Sequence, residues 1–112
     1  MSKLEEKISA YVAESKKLNL DLSEDLIAAV TKSLGPSIYN ADAETIAASD
    51  KSELDRLKSN FLISKLGLSE NDNLDAAIEE VIEAIGKSNR NKYRALVYAL
   101  LARKFKKESV YS

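Results

Sequence analysis

Residues Ala95 to Ala102 read Ala-Leu-Val-Tyr-Ala-Leu-Leu-Ala, two turns of helix with no polar face except one tyrosine hydroxyl. A helix that is apolar all round has to be covered on every side. At eight residues the run is far short of the ~20 that span a bilayer, so protein must supply the cover. Ala95, Ala99 and Ala102 fall on one side and allow a neighbouring helix to approach closely. Leu96, Val97, Leu100 and Leu101 are expected to be almost fully buried. The rest of the 112-residue chain must therefore wrap this segment, and that length suffices for one core. The spacing predicts an all-α fold: a compact multihelical single domain spanning 1–112, five to six helices around a buried C-terminal helix. Three glycines and one proline argue against a turn-rich β-protein.

The wrapping helices can be placed from their caps and their apolar period. Ser2 with Glu5 makes a capping box before a helix at about 3–17 carrying Leu4, Ile8, Tyr11 and Val12. Ser23 is the expected N-cap of a second helix, about 24–34, closed by Gly35-Pro36. Fourteen structureless residues after it would be unusual in so compact a chain, and Asn40 can cap a short helix over 41–48. Asp50 with Glu53 opens a fourth helix at about 51–66, with Leu54, Leu57, Phe61, Leu62 and Leu66 inward and a Schellman-type end at Gly67-Leu68. The fifth, about 73–85, is the cleanest amphipathic helix and ends at Gly86. The sixth is expected over 89–107 with Ser88 as N-cap.

That last start is unusual in charge. Lys87, Arg90, Lys92 and Arg94 crowd a helix end that ordinarily favours Asp and Glu. Residues 1–86 hold 9 basic and 17 acidic side chains, while residues 87–112 hold 8 basic and 1 acidic. Two arrangements can offset the misplaced charge. The acidic helix 73–85, with Glu79, Glu80 and Glu83, can fold back across Gly86 and neutralise it. Alternatively Lys87, Ser88, Asn89, Arg90, Asn91 and Arg94, with the free N–H groups of 89–91, form an anion or partner contact. The first is the favoured expectation.

Other chemistry is sparse. The chain has no histidine and no cysteine, which removes the commonest general base, the strongest nucleophile and the usual ligands of zinc, copper and haem. No P-loop, nucleophile elbow or dinucleotide fingerprint is present. Glu79, Glu80 and Glu83 read as a solvated helix face rather than a cation site. Residues 81–94 outline a helix-turn-helix, but Ile82, Lys87 and Lys92 stand where that motif needs small or apolar residues. Tyr111 reads as a tail residue.

The segments Gly35-Pro36-Ser37-Ile38-Tyr39-Asn40, Asn60-Phe61-Leu62, Lys65-Leu66-Gly67-Leu68 and Ser88-Asn89-Arg90-Asn91-Lys92-Tyr93-Arg94-Ala95 resemble those of a bacterial family of small proteins catalogued as a domain of unknown function. The resemblance covers nearly the whole chain. It implies a bacterial origin and a small helical domain, and it supplies no activity, cofactor or site residue.

The charged N-terminus and the lack of a long apolar run lead to the expectation of a soluble cytoplasmic protein with no membrane contact, monomeric or weakly dimeric. The function expected is a non-catalytic interaction or accessory role with a protein partner, without enzyme activity or cofactor, at the junction of the acidic and basic helices. The alternative is a binder of a phosphate-bearing ligand or nucleic acid through the basic start of the last helix.

Overall fold

The computed structural model describes residues 3–47, 50–69, 73–86, 89 and 92–111, and only the backbone of residues 41 and 42. The fold is all-α. Six α-helices run α1 (Lys3–Lys17), α2 (Glu24–Leu34), α3 (Ala41–Glu44), α4 (Lys51–Arg56), α5 (Leu74–Ile85) and α6 (Arg94–Lys104). Short 3-10 turns cover Gly35–Tyr39 and Glu108–Tyr111. The one β contact among the described residues is an isolated antiparallel bridge between Thr45 and Tyr93.

As its sequence demands, α6 lies at the centre. Ala95, Leu96, Val97, Ala99, Leu101 and Ala102 are each at most 1% exposed. The helix packs chiefly on α2 and α5, and α1, α3 and the terminal 3-10 turn close the remaining sides. From α2 come Ile27, Val30 and Thr31; from α5 come Leu74, Ala77, Ile78, Val81, Ile82 and Ile85. Buried Thr31 returns its hydroxyl to the Ile27 carbonyl at 2.7 Å, so the core carries no orphan there. Leu100 departs from expectation. It is only partly buried, packed against the core from its edge, because it faces a groove between α5 and α6.

The caps explain where several helices start and stop. Ser23 accepts the Leu26 N–H at 3.1 Å, and Asp50 accepts from Ser52 at 2.9 Å and Glu53 at 3.4 Å, both as expected. Ser2, the other expected cap, lies outside the described residues. Gly35 and Gly86 end α2 and α5 with φ of 64° and 109°, backbone angles a side chain would strain.

Three boundaries differ from the periodic reading. The expected helix 41–48 is α only to Glu44, because Thr45 and Ile46 pair with 92–93 instead. The expected helix 51–66 is α to Arg56 and then widens into a π turn at Leu57–Ile63. There Ser64 N–H reaches the Ser59 carbonyl and Leu66 N–H the Phe61 carbonyl, five residues back. The wider turn lets Leu57, Phe61, Leu62 and Leu66 all face the core, and each is at most 3% exposed. It also displaces the helix end, so that Leu68 N–H closes on the Leu62 carbonyl at 3.0 Å, one residue beyond the expected Ile63. Finally, α6 begins at Arg94 and ends at Lys104, inside the expected 89–107.

Tyr111 is also more than a tail residue. The chain turns at Lys106, whose φ is 57°, and its last turn packs back on α2. Lys65 lies 4.9 Å from the Tyr111 ring centroid, and the phenol oxygen is buried.

Leu101 and Leu100 provide a direct check on which face of α6 is central. Leu101→Ala should cost about 2–5 kcal/mol, and Leu100→Ala, already half solvated, no more than about 1–2 kcal/mol. Paired urea melts read the difference, and equal losses would contradict this packing.

Candidate functional site

The basic stretch 87–94 is only partly covered by the described residues. Lys87, Ser88, Arg90 and Asn91 lie outside them; Asn89, Lys92 and Arg94 are described. Asn89 is turned inward. Its N–H donates to the Gly86 carbonyl at 3.0 Å and its side-chain amide to the Ile85 carbonyl at 3.2 Å, closing the end of α5. Lys92 is 7% exposed, and its ammonium donates to the Asn89 carbonyl at 2.5 Å. These contacts precede the helix rather than form part of it, because α6 starts five residues later than the cap pattern at Ser88 suggests.

Arg94 is the first helical residue of α6 and the centre of a polar junction. Its Nε donates to the Ala43 carbonyl at 2.8 Å and one terminal nitrogen to the Tyr98 hydroxyl at 3.1 Å. The other terminal nitrogen forms an ion pair with Glu53. Both charged side chains are 18% exposed, so solvent screens the pair poorly. Burial lowers the guanidinium pKa, but the bonds to Tyr98 and Glu53 outweigh it and leave the value raised. Tyr98 in turn stacks on Phe61, with centroids 4.0 Å apart and planes 15° apart, which ties the junction to the core.

The misplaced positive charge of Arg94 is therefore offset internally, but by a different acid from the one expected. Glu53 comes from α4, 41 residues away in sequence. The acidic helix 73–85 supplies Glu80, which pairs with Lys104 at the opposite end of α6. With α6 starting at Arg94, the guanidinium faces α3 and α4 rather than α5.

A second cluster adjoins this one. Glu44, at the end of α3, accepts from the Lys7 ammonium at 2.7 Å and from the Tyr11 hydroxyl at 2.6 Å, both on α1. The Tyr11 ring packs on Tyr93 at 4.8 Å. Burial raises the Tyr11 pKa, and the Glu44 carboxylate that accepts its proton raises it further. Burial also raises Tyr93, with added repulsion from Glu44 and Glu14. Sequence reading did not find this cluster: Lys7 and Glu44 have no short-range signature, and Tyr11 looked like a core residue alone.

Two concave surfaces accompany these junctions. A cleft of about 590 Å³ lies between the π turn and the start of α5, where Lys58 pairs with Asp75 at 2.9 Å and Asp55 at 3.8 Å. A groove of about 360 Å³ runs between α5 and α6, with Val81, Ala84 and Leu100 along it and Glu80, Arg103 and Lys104 at its rim. Among the described residues no three carboxylates converge on a metal-sized site. No described helix is long and apolar enough to cross a membrane. The helix-turn-helix outline also loses its geometry, because the helix that would read DNA is the buried centre of the fold.

The family model described as Protein of unknown function (DUF2853) matches residues 10–109, and the chain belongs to that family. Comparison with curated proteins gives no match.

Two measurements test the junctions. Glu53→Gln leaves Arg94 partly buried without its counter-charge and should lower stability by about 1–3 kcal/mol, with the loss changing little as salt is added. The tyrosines set the alkaline limit. Tyr11, Tyr93 and Tyr111 are all raised above 10.0, so the folded state favours their protonated forms. Their contribution is full below the unfolded value and is lost as pH rises towards the folded one. Stability should therefore fall from about pH 10 upward, with phenolate absorbance for these rings appearing only as the chain unfolds. A flat stability profile through that range would contradict the burial of these hydroxyls.

Proposed function

We propose that this family member is a non-catalytic interaction or accessory protein of the bacterial cytoplasm, acting as a monomer or weak dimer. Its contact surface is the junction of acidic α5 and basic α6. The observation that supports this reading is the groove between those helices. Leu100 is withdrawn from the core and Ala84 is exposed, and together they form an apolar strip between the Glu80–Lys104 pair and Arg103. An apolar centre with a charged rim is the usual anatomy of a protein contact. The lack of histidine and cysteine fits a role that needs no general base or thiol.

The competing reading is a phosphate or nucleic-acid site at Lys87, Ser88, Asn89, Arg90, Asn91 and Arg94. It has less support, because Arg94 commits its donors to Ala43, Tyr98 and Glu53, and Asn89 commits its N–H to Gly86.

The test uses Ala84→Arg, which fills the groove without touching the core, and Lys17→Ala on α1 as a control. A protein captured by the parent is purified and titrated directly. Binding weakened tenfold or more (about 1.4 kcal/mol) by Ala84→Arg and unchanged by Lys17→Ala is the expected result. If instead the parent binds inorganic phosphate or a short oligonucleotide, and Lys87→Gln with Arg90→Gln abolishes it, the interaction reading fails.

A further inference from the structure

Residues 41–46 are joined to the helical frame mainly by directional polar contacts. The helical part, α3, is a single turn, and Ile46 is the one residue of 43–46 that is buried. The remaining ties are specific. Glu44 holds Lys7 and Tyr11 on α1, at 2.7 and 2.6 Å. The Ala43 carbonyl accepts Arg94 Nε–H at 2.8 Å. The Ile46 N–H donates to the Lys92 carbonyl at 2.9 Å, beside the Thr45–Tyr93 bridge. In contrast, α2, α5 and α6 are held by continuous apolar burial along their lengths.

The two kinds of attachment fail differently. Apolar burial around α6 is lost only when the whole core opens. A few hydrogen bonds sharing one short segment can break together, exposing little apolar surface. We infer that residues 41–46 form a latch that opens as one unit while the core around α6 stays folded. Opening detaches Glu44 from α1 and the Ala43 carbonyl from Arg94. It uncovers the Tyr11 hydroxyl, the Tyr93 ring and one side of the Arg94 guanidinium, a patch of donors on an aromatic surface. In the closed form the latch's own carboxylate and carbonyl occupy those donors.

This inference does not depend on the α5–α6 groove, which lies on other elements. Native-state hydrogen exchange at several low urea concentrations tests it, with the full chain. The reporters are the N–H groups of Ala43 and Glu44, both bonded to the Asn40 carbonyl, and of Ile46. They should exchange through one shared opening with weak dependence on urea, while Leu100 and Leu101 follow the steep dependence of global unfolding. Glu44→Gln should speed exchange at 43, 44 and 46 by about tenfold or more and leave Leu101 within about twofold. The parent alone decides the matter if the variant folds poorly. Ile46 exchanging on the same steep urea line as Leu101 overturns the latch. Three unrelated rates at 43, 44 and 46 overturn it too, since that is independent fraying.

Discussion

A helix without a polar stripe imposes its solution on everything around it. For α6 to be stable in water, each of its sides needs a partner, and the chain provides α2 and α5 on the broad faces, with α1, α3 and the terminal 3-10 turn at the gaps. The alanines make this feasible. Ala95, Ala99 and Ala102 are each at most 1% exposed, and their small side chains let neighbours lie close. Leu100 is where the cover is thinnest, and the α5–α6 groove is the result. The interaction surface proposed for the protein is thus a by-product of enclosing a cylinder with a limited number of helices.

The second constraint is how the start of that helix is joined to the rest. A buried helix needs an entrance, and here the entrance carries a cation. Arg94 turns this into an attachment by gathering a carbonyl from α3, a carboxylate from α4 and a hydroxyl from its own helix. Replacing such a partly buried pair with apolar groups need not cost stability, but breaking one half does. The junction therefore specifies which segments meet more than it adds to the total free energy.

Much of the architecture was legible because local signals agreed with tertiary demand. Ser23 and Asp50 cap as their positions suggested, and the apolar run at 95–102 is buried as its composition requires. The failures share a cause. Ser88 and Asn89 look like a helix start, yet the pairing of 45–46 with 92–93 couples residues almost fifty apart and delays the helix to Arg94. Glu53 looked like a capping-box residue; its carboxylate instead meets Arg94. Leu57, Phe61, Leu62 and Leu66 satisfy α spacing well enough to hide a π turn. Sequence pattern reports which residues are apolar, and not which of two closures best seats them. Of the candidate site, only Asn89 and Arg94 fall among the described residues, and both serve the fold.

The π turn has a consequence for how this chain tolerates change in length. Between Leu57 and Leu66 the backbone carries one residue more than an α-helix would need to connect the same two points. Removing a single residue there could leave a perfectly good helix, with every amide bonded four residues back. Yet it would rotate all that follows by about 100° about the helix axis. Gly67 would then send the chain towards a different side of the molecule, and α5 would arrive at α6 with its charged face inward. A deletion that damages no contact within its own helix would dismantle a packing interface elsewhere, so this turn acts as the phase mark by which the two halves of the chain are aligned.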